Sequence, residues 1–150
     1  MPFELQQLVG IWKLLFIDNT YPESHRTNLT GRIMFTADGY MNALIREPSI
    51  EPFNFNWAFA SDSQVAAIAR GVTAYCGMYT VHNESGQVYT QTKLDVSLSP
   101  SWMLQDQIRY ATFEEKDGKT LMTLIPAVNG AKADNRLTWE KIPLQPLTML

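Results

Sequence analysis

Three turn signals, Ala37-Asp38-Gly39, Glu84-Ser85-Gly86 and Lys116-Asp117-Gly118, each stand between two runs rich in Val, Ile, Thr, Tyr and Phe, and this constrains the fold more than any other feature. Gly takes positive φ without steric cost, so each triplet reads as a hairpin turn. Carried along the chain, the pattern predicts eight strands: Gly10 to Asp18, Leu29 to Thr36, Tyr40 to Arg46, Thr73 to His82, Gln87 to Leu98, Gln107 to Glu115, Thr120 to Pro126 and Arg136 to Ile142. An open meander of this length leaves two unpaired edges, whereas a closed barrel pairs every backbone group of its ladder. The fold class is read as all-β, an antiparallel eight-stranded β-barrel, with an open sandwich as the competing architecture. One segment departs from the pattern. Ser61-Asp62-Ser63-Gln64 is a capping box ahead of Val65 to Arg70 and a terminal Gly71, which predicts one short helix, either a lid over the barrel mouth or a plain crossover. A weaker helical turn is expected over Phe3 to Leu8, and the longest loop-like stretches are Asp18 to Asn28 and Glu47 to Ala60.

At 150 residues the chain has the length of a single domain, 1–150, able to bury about two thirds of its unfolded surface. Its 45% apolar and 18% charged residues are those of a globular protein. No run approaches the roughly 18 apolar residues of a membrane span, so a water-soluble chain without a membrane partner is expected. The net charge of -3 is spread without runs and offers no footprint for phosphate backbones, which sets nucleic acid aside. Met1 to Gln7 lacks a basic region followed by an apolar run, and the lone Cys76 has no internal disulfide partner, so a cytoplasmic location is the expectation. Cys76 itself reads as a buried core thiol. His25 and His82 lie in unrelated segments without ligand spacing, which argues against a metal site and against His-dependent nucleophilic catalysis; His82, beside a turn, is expected to face solvent. With no phosphate loop or dinucleotide fingerprint, no cofactor is expected.

Gly10-Ile11-Trp12 opens the first strand, and Arg136 precedes Leu137-Thr138-Trp139-Glu140 near the far end. This resembles the lipocalin pattern, in which a first-strand Trp plugs one end of the barrel and a late basic residue packs across its ring; Trp12 and Arg136 are the candidates that resemblance implies. The wider blocks Gly31 to Ala43, Arg70 to Val81, Pro100-Ser101-Trp102 and Gln107 to Tyr110 resemble the lipocalin-like domain family, small bacterial and fungal calycin-type proteins distinct from the secreted lipocalins. The likeness runs from Leu8 to Glu140 and bears on fold more than on function. Where many members carry His on the fifth strand, this chain has Thr92 and Lys93. A role resting on imidazole there does not carry over.

The remaining polar residues group by period-2 alternation: Tyr75 with Tyr79, Lys93 with Asp95, Gln107 with Arg109, and Tyr40 with Asn42. If those faces turn inward they line one cavity; if outward, the barrel is filled by Met41, Ala43, Met78, Leu94 and Ile108. Two functions use the cavity. In the first, the chain is a cofactor-independent isomerase or cyclase of a hydrophobic secondary-metabolite intermediate. Tyr79, Arg109, Asp95 and Tyr75 are then catalytic, and Tyr40, Asn42, Lys93, Gln107 and Trp102 hold the ligand. In the second it is a non-catalytic carrier of a fatty acid or similar amphiphile, whose carboxylate Arg109 pairs. A third reading is a filled barrel acting through its surface as a homodimer, with Leu15 and Ile17 outward at the interface.

Overall fold

The computed structural model describes residues 3–48 and 54–150. Its strands are β1 (Gly10–Asn19), β2 (Ser24–Arg26), β3 (Thr30–Phe35), β4 (Tyr40–Arg46), β5 (Val72–Glu84), β6 (Gln87–Ser97), β7 (Gln107–Lys116), β8 (Lys119–Val128), β9 (Ala131–Lys132) and β10 (Asn135–Ile142). Apart from the short β2 and β9, these are the expected eight, with ends that move by one or two residues. All ladders are antiparallel in the order β1-β3-β4-β5-β6-β7-β8-β10, and β10 pairs back onto β1, so the barrel is closed. Two of the expected turns carry positive φ at both central residues, Ser85 (53°) with Gly86 (84°) and Asp117 (54°) with Gly118 (75°), the backbone twist that suits a two-residue hairpin.

The capping box forms as the sequence implies. Helix α2 (Asp62–Arg70) starts where the Ser61 hydroxyl accepts from the Gln64 backbone N–H at 3.3 Å and the Gln64 side chain accepts from the Ser61 N–H at 2.9 Å. Helix α1 (Leu5–Leu8) occupies the expected N-terminal turn. Two short 3₁₀ turns, Trp57–Phe59 and Pro100–Leu104, and strand β2, inside a segment expected to be loop, were not foreseen. The loop expected over Glu47 to Ala60 lies partly outside the described residues.

Alternation sends Trp12, Leu14, Ile33, Phe35, Met41, Ala43, Val88, Ala111, Met122, Leu124 and Trp139 inward, and Leu8 of α1 joins them in one continuous core. Trp12 is wholly buried, and its indole N–H donates to the Leu8 carbonyl at 2.9 Å. The cation across its ring is Lys141, with Nζ 5.2 Å from the centroid, and not Arg136. Register gives the reason: Trp12 pairs with Lys141, while Arg136 pairs with Asp18 at the other end of the strand and donates to the Thr20 hydroxyl. Burial lowers the Lys141 pKa, and its ammonium also donates to the Gln7 carbonyl at 3.1 Å. Met78 and Ile108 belong to the outward alternates, and Cys76 is only half-buried, on the outer face of β5 beside Tyr40.

Two irregularities decide which later residues face in. Leu14 pairs with Trp139 and Phe16 with Thr138, so Leu15 drops out of the ladder and the next inward residue after Leu14 is Ile17. Ile17 is therefore an interior residue, which removes half of the outward interface expected from simple alternation. On β6, Gly77 pairs with Leu94 but Cys76 with Val96, leaving Asp95 out of register. Gly77 permits this close approach: a Cβ there would sit 2.1 Å from the Lys93 carbonyl oxygen. Because backbone cannot yield as a flexible side chain does, Gly77→Ala is expected to cost about 1–3 kcal/mol or more in urea unfolding. A change below about 0.5 kcal/mol, the scale of a neutral surface substitution, would contradict this account of the bulge.

Candidate functional site

The core fills the end of the barrel beneath α1, and the opposite end is hollow. A cavity of about 720 Å³ opens there, lined by Ile17 of β1, Ile45 of β4, Thr73 and Tyr75 of β5, Gln107 and Arg109 of β7, Pro126 of β8 and Leu137 of β10, with Leu29 and Trp102 from the connections. Ile17, Leu29, Ile45, Tyr75 and Leu137 also touch the core, so they form the floor and lower walls. Past the rim the lining continues onto Tyr89 and Tyr110, outward alternates of β6 and β7 whose rings meet edge to face at 5.7 Å. The volume lies within the roughly 300–1,000 Å³ of small-molecule sites.

Among the described residues, Arg109 is the one cationic side chain in this lining. Its register neighbours are Thr90 and Pro126, which places it in the middle of the wall, half-buried. Its guanidinium donates to the Gln107 side-chain oxygen at 3.0 Å and to the Ile108 carbonyl at 2.9 Å. Gln107 in turn donates to the Trp102 carbonyl at 3.5 Å, tying the cation to the 3₁₀ turn over the mouth. Among the described residues no carboxylate pairs with Arg109. The three carboxylates of the lining are already engaged: Glu47 with Arg26, Glu84 with the Tyr89 hydroxyl at 2.8 Å, and Asp106 with the Gln91 amide at 2.7 Å. A guanidinium has five N–H donors, so most of the Arg109 fork is left to a ligand. Beside the polar group, Tyr75 and Trp102 meet edge to face at 5.4 Å and 69°.

Of the residues proposed from sequence, Tyr75, Trp102, Gln107 and Arg109 come together in this cavity. Tyr79 is an inward alternate of β5, but its hydroxyl donates to the Thr36 carbonyl at 2.5 Å and its ring packs edge-on against Phe35 at 5.2 Å, which ties it to the β3–β4 turn. Tyr40, Asn42, Lys93 and Asp95 lie on the outer face, so the expectation that they share the cavity is corrected. For both Lys93 and Asp95 the cause is alternation about buried Leu94; the bulge acts on the next residue, turning Val96 outward opposite Cys76. Asp95 accepts from the Tyr40 hydroxyl through both oxygens, at 2.8 and 2.9 Å, with the Cys76 sulfur 3.7 Å from the same hydroxyl. Those hydrogen bonds, from Asp95 first, raise the Tyr40 pKa well above the usual phenol range. His82 lies on the outer face of β5, half-buried, where it stacks on Tyr89 at 4.7 Å and hydrogen-bonds Thr80.

Thr73, Ile17, Ile45 and Leu137 were not named as lining residues. Thr73 was within reach, since it lies two positions before Tyr75 on the same face. Ile17 was not, because only the Leu15 bulge turns it inward.

Among the described residues, no group of His, Cys, Asp and Glu side chains is arranged to hold a metal ion, and no helix is long and apolar enough to cross a membrane. A family model described as a lipocalin-like domain matches residues 9–142. Comparison with curated proteins finds no match.

Burial, and secondarily the charge of Asp38, raise the Tyr79 pKa. The folded state therefore holds that proton more tightly than the unfolded chain. Stability is retained up to the ordinary Tyr value of about 10 and falls as pH rises from there toward the folded value. Tyr79→Phe is expected to flatten this alkaline loss in urea melts while costing about 0.5–1.5 kcal/mol at pH 7 for the hydrogen bond to Thr36. An alkaline slope identical to that of the unsubstituted protein would contradict the assignment.

Proposed function

The chain belongs to the lipocalin-like domain family, whose fold suggests small-molecule binding, and on that premise we propose that its cavity binds an apolar molecule carrying one anionic group. The observation that carries this reading is Arg109: a half-buried guanidinium on the inner wall, oriented by Gln107 and without a protein carboxylate among the described residues. A charge in such a place is costly unless it is paired, and a bound anion supplies the pair. The rest of the lining suits the apolar part: Ile17, Leu29, Ile45 and Leu137 are aliphatic, and Tyr75 and Trp102 offer ring surface.

A second reading has one observation in its favour. Among the described residues no hydrogen bond engages the Tyr75 hydroxyl, leaving it free beside the same cavity as Arg109. Two such donors can polarise a carbonyl, the chemistry of a cofactor-independent isomerase or cyclase acting on a hydrophobic secondary-metabolite intermediate. That reading keeps Tyr75 and Arg109 but loses Asp95 as its base, because Asp95 lies outside the barrel, and Tyr79 as its acid, because its proton is committed to Thr36. Binding therefore accounts for more of the site than catalysis does.

Removal of a charge-assisted pair costs roughly 1.5–3 kcal/mol, so Arg109→Gln is expected to weaken calorimetric binding of an apolar carboxylate about 10- to 150-fold, with the circular dichroism spectrum unchanged. A neutral analogue should bind the two proteins alike. Equal affinity of the carboxylate for both would overturn the proposal. Loss of turnover in Tyr75→Phe without loss of affinity would instead support the catalytic reading.

A further inference from the structure

The cavity is hollow only above Arg109, and that limits what its ligand can be. On the closed side of this residue the next inward side chains of the adjoining strands are Val88, Ala111 and Leu124, all buried in the core. On β5 the lining takes only Thr73 and Tyr75 of a longer inward series, and on β7 only Gln107 and Arg109. Successive inward residues are about 7 Å apart along a strand, so the walled depth is on the order of 7–10 Å. An extended long-chain acyl tail is far longer than that. With its head on Arg109 it has no path down the barrel axis and must leave through the mouth, where only the open rim around Tyr89 and Tyr110 is left to cover it and most of its burial is lost.

Charge sets a second limit. Among the described residues Arg109 is the only cation of the lining; of its carboxylates Glu47 is paired with Arg26, and Glu84 lies past the rim with Tyr89. One anionic group finds a partner, whereas a second enters the hollow with no cation of the lining left to pair it. Width and surface set the third. The lining supplies ring surface from Tyr75 and Trp102, which meet edge to face at 5.4 Å, and aliphatic surface from Ile17 and Leu137, a set that suits a ring better than a thread.

We infer that the ligand is a compact, ring-containing monocarboxylate, and that long-chain fatty acids and dicarboxylates are excluded; this rests on the reading above that Arg109 receives the anionic group. It narrows the amphiphile expected from sequence to one class.

The test is calorimetry on the intact chain with four probes: 2-naphthoate, its neutral amide, naphthalene-2,6-dicarboxylate and palmitate. The expected result is that 2-naphthoate binds at least about tenfold more tightly than each of the other three: the amide lacks the charge-assisted pair, palmitate leaves its tail unburied, and the second carboxylate of the diacid goes unpaired. Palmitate or the dicarboxylate binding as tightly as 2-naphthoate, each weakened by Arg109→Gln, would overturn the inference on ligand class while leaving the Arg109 reading in place. The amide binding as tightly as the acid, or no probe binding at all, would overturn both.

Discussion

The double pairing of β10, to β1 on one side and β8 on the other, is what the rest of the molecule depends on. It turns a sheet with two open edges into a closed wall, and a closed wall has one interior to which every strand contributes alternate residues. The same strand sets the two ends apart. At one end its register puts Lys141 over Trp12 and Trp139 against Leu14, and at the other it places Leu137 beside Ile17. The first of these places is packed solid and the second borders the hollow.

That asymmetry is a division of labour. Trp12, Trp139, Met122 and Phe35 are large and fully buried, and they concentrate the apolar core beneath α1. Because that half supplies the packing, the mouth half can carry groups that a filled core would exclude. A half-buried guanidinium with no carboxylate partner and a phenol with no hydrogen bond, both among the described residues, and a half-buried indole are of this kind. The Gln107 side chain links two of them, receiving a hydrogen bond from Arg109 and giving one to the Trp102 carbonyl. The 3₁₀ turn at the mouth and the cation thus share one hydrogen-bonded side chain.

The strands were legible because their turns were. Ser85-Gly86 and Asp117-Gly118 take positive φ where the composition demands it, and the runs between them are β-branched and aromatic. The capping box at Ser61 was equally explicit. Strand β9 escaped notice although Asn129 and Gly130 make the same kind of turn, because only two residues pair after it. Inside and outside were harder to read. On β5 both alternating sets mix aromatic, small and β-branched residues, so pattern alone does not choose between Tyr75 and Cys76. Two bulges then moved residues off the simple period: Leu15 brought Ile17 in, and the one at Asp95 turned Val96 out opposite Cys76. Such bulges depend on a partner strand's close approach, as at Gly77 against Lys93, which no single segment records. The Trp12 plug was visible from sequence, but its cation was misplaced by the length of a strand, since register across the closing seam is a property of the whole barrel.

The central claim is that ligand sits in the hollow half, over Arg109 and against Trp102. Intermolecular NOEs between the ring protons of bound 2-naphthoate and the protein locate it directly. The account requires NOEs to the Trp102 indole and to the Leu137 and Ile17 methyls. NOEs instead to Met78 and Tyr40 on the outer face, with none to Leu137, would show that the cavity is not the binding site and would contradict it.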